Sequence, residues 1–229
     1  NNIKIIYERE MTLLAKKRVF AILFSIVSVV LSLFVLIFIN KTLVKAKSEG
    51  VLSYEDLLYL HERIWDIVYF ICILFSIFLA SMSINLDKKR YILDHILTTK
   101  VDRKDIVLGK LFSYISSVVS LSLLCMPMCM MPTFFGGISY VKMILLLILL
   151  IALIISFISV TLMFSAIIYQ ENISLFASIL FGILVMVMMF YFKNNIVTNM
   201  YLYISVIASM LLFSIVCGVI SIKSKVFDM

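Results

Sequence analysis

Six stretches of this 229-residue chain contain no Asp, Glu, Lys or Arg: 19–39, 67–84, 111–131, 143–168, 173–192 and 200–222. Each is close to the roughly 20 residues of helix that cross about 30 Å of hydrocarbon, and about twice the length of a barrel strand. Helices satisfy their own backbone, which hydrocarbon demands. Composition agrees, with 64% apolar and 14% charged residues against roughly half and a quarter in soluble domains. The expected fold class is therefore all-α, a polytopic membrane protein of six transmembrane helices forming one domain over 1–229.

The basic residues give the orientation. Fourteen of the twenty Lys and Arg fall at the N-terminus, at the C-terminus and in the segment 85–110, and six fall on the other side. Cytoplasmic loops carry the excess of Lys and Arg, so both termini and 85–110 are expected in the cytoplasm. Trp65, Tyr69, Tyr140, Tyr191, Tyr201 and Tyr203 gather at the opposite boundary, where amphipathic rings settle. The formal net charge of +7 is thus a topology signal. It offers no basic soluble domain for nucleic acid. The first apolar run has the length of a full span, longer than the core of a removable signal.

Between the spans the chain is economical. Residues 1–18 read as an interfacial helix, with Ile3, Tyr7, Met11 and Leu14 at spacings of three and four. Residues 40–66 are the one sizeable outer segment. There Ser53 and Asp56 resemble a helix start, and "YEDLLYLHERIWDIVYF" runs into the second span as one long helix. Pro127 and Pro132 are expected to kink or stop the third span, with Gly136 and Gly137 in the turn that follows.

Several chemistries are tested by these residues and fall away. "CMPMCMMP" (125–132) carries soft donors suited to Cu(I). Met, however, is common throughout (14 residues), and Pro127 separates the two thiols. "HERIW" begins like a zinc-protease motif, but the second His falls at Trp65. His61 and His95 lie on opposite sides of the membrane and share no site. No carboxylate or base sits at a span centre, where ion coupling would place one. "LGKLFS" lacks the glycine and hydroxyl of a phosphate loop. Serines at 25, 28 and 32, and at 113, 116, 117 and 120, recur at helical spacing; they could line a polar path, though tight helix packing is the commoner use of small residues.

What remains is "DHILTTKVDRKDIVLGK" (94–110). This stretch and the residues just before it hold seven of the twenty basic residues. Ile92, Leu93, Ile96 and Leu97 make an apolar face, residues 98–101 break it, and Asp102 caps the helix entering the third span, with Asp105 in its first turn. A charged elbow between two membrane helices is a lever, since whatever moves it moves both.

Here the sequence resembles the ABC-2 type permease subunits of ATP-binding-cassette transporters. Asp87, Asp94, the Ile96-Leu97-Thr98-Thr99 run, Arg103 and the Gly109-Lys110 pair stand where that family has its acidic, Leu-Leu-Thr-Thr, Arg and Gly-Lys positions. Lys100 stands in place of the usual Pro, and Asp102 in place of Ser. The resemblance implies a coupling loop seated in a groove of a separate ATPase subunit, with Asp87, Asp94, Ile96, Leu97, Thr98, Thr99 and Arg103 at the docking face. It further implies a permease without cofactor or metal of its own, since ATP and Mg would belong to the partner. Two ATPase copies and a second copy of this chain, or a similar permease, would complete the assembly in the inner membrane of a bacterium. The short last outer loop (193–199) resembles that of small exporters of peptides, lipid-like or other hydrophobic compounds. A six-span solute-capture subunit of another energised transporter, or an intramembrane enzyme, are the alternative readings.

Overall fold

A computed structural model describes residues 2–16, 18–49, 54–81, 83–89, 101, 103–134, 139–168 and 170–192. Among them every regular element is a helix: α1 (Asn2–Lys16), α2 (Arg18–Glu49), α3 (Tyr54–Ala80), α4 (Ser83–Lys89), α5 (Arg103–Phe134), α6 (Tyr140–Ile167) and α7 (Glu171–Phe192). Three helical stretches are long and apolar enough to cross a bilayer: His61–Asp87, Asp105–Met130 and Tyr140–Ile167. Ser25–Lys41 and Glu171–Val187 are shorter apolar helices. The sixth run, 200–222, lies outside the described residues.

The centre is built by α3, α5 and α6. Val68, Cys72 and Phe75 of α3 meet Val118, Leu121 and Cys125 of α5 and Leu150, Ile154 and Ile158 of α6 in one buried cluster. A second cluster joins Ile73 and Ile77 of α3 to Leu149, Leu153 and Phe157 of α6, with Phe181 and Val185 of α7 against it. Gly182 faces Ile77 there: a Cβ would come within 2.5 Å of Ile77 Cδ1, which would have to turn aside. By contrast α2 leaves Ile26, Val30, Leu33 and Ile37 exposed and buries Val35.

The long helix expected from the outer segment into the second span is α3, which runs from Tyr54 to Ala80; α4 then restarts at Ser83. Neighbouring hydroxyls make the break tolerable. Ser165 Oγ of α6 accepts the backbone N–H groups of Ile84 (3.1 Å) and Asn85 (3.4 Å), and Ser174 Oγ of α7 donates to the Ser81 carbonyl at 2.8 Å. Backbone groups freed inside apolar surroundings require such partners.

The prolines act in the opposite sense. Neither ends the helix: α5 passes through Pro127 and Pro132 to Phe134. A proline removes one donor from the ladder, a loss that membrane helices absorb through neighbours and local adjustment. Elsewhere the starts follow ordinary chemistry. Ser139 Oγ accepts the Lys142 N–H at the N-cap of α6, and Glu171 stands in the first turn of α7, where the helix dipole favours an anion.

Candidate functional site

α1 meets α5 at Gly109. A Cβ at that position would lie 2.7 Å from Ile6 Cβ and Cγ2 and 3.2 Å from the Ile3 carbonyl, so only glycine lets the helices approach this closely. The buried stripe of α1 is Ile6, Glu10 and Leu14. Of the expected face Leu14 belongs to this stripe, while Ile3, Tyr7 and Met11 flank it half-buried. The same orientation points Glu10 at the neighbour of Gly109.

That neighbour is Lys110, 1% exposed. Its ammonium lies 2.7 Å from Asp87 Oδ2 of α4 and 3.5 Å from Glu10 Oε1 of α1. It also donates to Ser83 Oγ (3.2 Å) and the Ser83 carbonyl (3.4 Å). Tyr114, one turn further along α5, donates from its hydroxyl to Glu10 Oε2 at 3.4 Å. Arg9 Nη1 stands 3.7 Å from Glu10 Oε1. Two cations thus face two carboxylates, with Lys110 and Glu10 buried, Asp87 nearly so and Arg9 partly exposed.

Burying one ion costs several kcal/mol unless it is paired and hydrogen-bonded; removing a single partner from such a pair typically costs about 3–5 kcal/mol. The cluster is therefore a clamp. α4 packs its body on α6, and Lys110 ties it to α5, while Glu10 brings in α1. Two of the three clamped elements, α4 and α5, border the charged segment 90–102. The clamp contains no activated nucleophile, and its chemistry is positional: it fixes the two ends from which that segment is strung.

The residues singled out from the sequence separate accordingly. Asp87 faces inward onto Lys110, its side chain 13% exposed. Arg103 opens α5, and Asp105 lies in its first turn. Asp94, Ile96, Leu97, Thr98 and Thr99, with His95 and the capping Asp102, lie outside the described residues. Sequence reasoning did not find Glu10, Ser83 or Tyr114, and it read Lys110 as a motif and topology residue. One signal was available: a Gly-Lys pair placed directly against an apolar run leaves the lysine needing a counter-ion.

The remaining candidates sit in the core. Cys72, Cys125 and Cys129 are buried free thiols from facing helices. Among the described residues, no group of three or more His, Cys, Asp or Glu is arranged to hold a metal ion. His61 is fully buried, edge-on to Trp65 at 6.1 Å. Compared with protein-family models, curated proteins and solved structures, the chain has no match.

Proposed function

We propose that this chain is the membrane-spanning permease subunit of an ATP-driven exporter, transmitting ATP hydrolysis in a separate subunit to movement of a peptide, lipid-like or other hydrophobic compound. In this reading it has six spans, with both ends and the segment 90–102 on the cytoplasmic face of a bacterial inner membrane. Two ATPase copies and a second permease copy complete the assembly. The observation that carries the reading is the clamp of Lys110, Asp87 and Glu10. A segment that transmits force needs fixed ends, and the clamp fixes them with charge-assisted contacts across three helices. The resemblance at Asp87, Asp94, Arg103 and the Gly109-Lys110 pair supports the same conclusion from the sequence side.

The test is recovery of an ATPase subunit with the tagged full-length chain from its native host. Losing one charge-assisted contact costs about 1.5–3 kcal/mol, roughly ten- to a hundredfold in an equilibrium constant. Arg103→Glu and Asp94→Lys are expected to lower recovery on that scale with insertion intact, and Arg103→Ala to lower it less. Unchanged recovery and unchanged export for both charge reversals contradict the proposal.

A further inference from the structure

Beside the clamp, α1 and α5 leave an open groove of about 580 Å3, lined by Ile3, Lys4, Tyr7, Phe112, Ile115, Ser116 and Val119. Its lining is of two kinds. Lys4 and the hydroxyl pair of Tyr7 and Ser116, in which Tyr7 donates to Ser116 Oγ at 3.2 Å, are polar. Phe112, Ile115 and Val119 follow at helical spacing on α5 and cover about 10 Å of helix within the apolar stretch Asp105–Met130.

We propose that this groove binds an anionic phospholipid, its phosphate held at Lys4, Tyr7 and Ser116 and the start of one acyl chain laid along Phe112, Ile115 and Val119. Three observations commit the occupant. The first is amphipathic match, since Lys4 and two hydroxyls line the same groove as apolar side chains. The volume is within the range of roughly 300–1,000 Å3 of small-molecule sites, which suits a headgroup with its first methylenes.

The second is charge. Residues 1–18 hold five Lys and Arg against Glu8 and Glu10, and Glu10 is spent inward on Lys110. Glu8 lies 3.7 Å from Lys4, but both side chains are more than 60% exposed. An exposed pair of this kind is weak, and Lys4 can turn to a phosphate. The third is the outer face of α1, where Ile5 (66% exposed) and Leu13 (43%) stand beside Lys4 and Lys16. Basic residues flanking apolar ones are how a helix seats on an anionic membrane surface. The inference rests on α1 lying at that surface and is independent of any ATPase partner.

The experiment uses the purified full-length chain in phosphatidylcholine vesicles containing a minor fraction of phosphatidylglycerol. Either lipid carries a photoactivatable group at the top of one acyl chain, and labelled peptides are mapped. Wild type is expected to be labelled within 112–119 about fivefold more by the phosphatidylglycerol probe, the size of one basic residue's attraction to an anionic surface. Lys4→Gln, at a position 72% exposed, is expected to erase that preference, and Lys4→Arg to keep it. Val119→Trp, which fills the groove, is expected to lower labelling by both probes. Equal labelling of wild type by the two lipids overturns the proposal, as does a preference that survives Lys4→Gln. Absence of labelling within 112–119 by either probe overturns it too. Because no ATPase is present, failure here leaves the docking test above untouched.

Discussion

Lys110 and His61 are both buried to the limit, on helices that pack against each other, and they live by different rules. Lys110 has Asp87, Glu10 and Ser83 within 3.5 Å and links three helices. Neither ring nitrogen of His61 has a hydrogen-bond partner among the described residues, and the same holds for Trp65 Nε1 beside it. The column continues to Tyr69, whose ring lies 5.8 Å from Trp65 and whose hydroxyl donates to the Leu146 carbonyl at 3.0 Å. One region is held by charges that need one another; the other is packed as though its polar atoms were apolar. The partners of Lys110 come from two other helices, α1 and α4.

That contrast breaks first at the clamp. Lys110→Met leaves two buried carboxylates facing each other and is expected to lower stability by about 3–5 kcal/mol, read as a large drop in the melting temperature of the detergent-solubilised chain. A loss below about 1 kcal/mol would mean the carboxylates find water. Next comes Gly109→Ala, whose new methyl meets Ile6 at 2.7 Å. Overpacking of this kind costs about 1–3 kcal/mol, and it should loosen α1 specifically. The backbone amides of α1 should then exchange with solvent faster than in the Gly109 background.

The smallest effects are expected away from the charges. Tyr7→Phe removes one part-buried hydrogen bond to Ser116, worth about 0.5–1.5 kcal/mol. His61→Leu, despite its complete burial, should stay within about 1.5 kcal/mol of wild type, because an apolar side chain of similar volume leaves no group unsatisfied. A loss at His61 as large as that at Lys110 would erase the distinction between the regions and point to a partner for the imidazole.

The same distinction explains what could be read from the sequence. Long apolar runs announce helices: 111–131 lies inside α5 (Arg103–Phe134), 143–168 falls on α6 (Tyr140–Ile167) and 173–192 lies within α7 (Glu171–Phe192). The break at Ser81 was hidden, because its compensation comes from Ser165 and Ser174, some eighty and ninety residues away. Of the kink or stop expected at Pro127, the stop does not occur, because the helix continues to Phe134. Asp87 was marked by motif alone, and its inward pairing with Lys110 belongs to tertiary geometry. Glu10 sat among alternating charges of a short helix, with nothing local to separate it from Glu8, which is exposed.

The most direct measurement is a double-mutant cycle on the clamp: Lys110→Met, Asp87→Asn and the two together, each scored by the unfolding free energy of the full-length chain in one detergent. If Lys110 and Asp87 hold α4 to α5 through their 2.7 Å ion pair, the double variant is less destabilised than the sum of the singles. The expected coupling is at least about 1.5 kcal/mol, within the range of contacting pairs. Effects that add to within about 0.5 kcal/mol, as for independent sites, would show that the two charges do not act on each other and would remove the fixed base from beneath the segment 90–102.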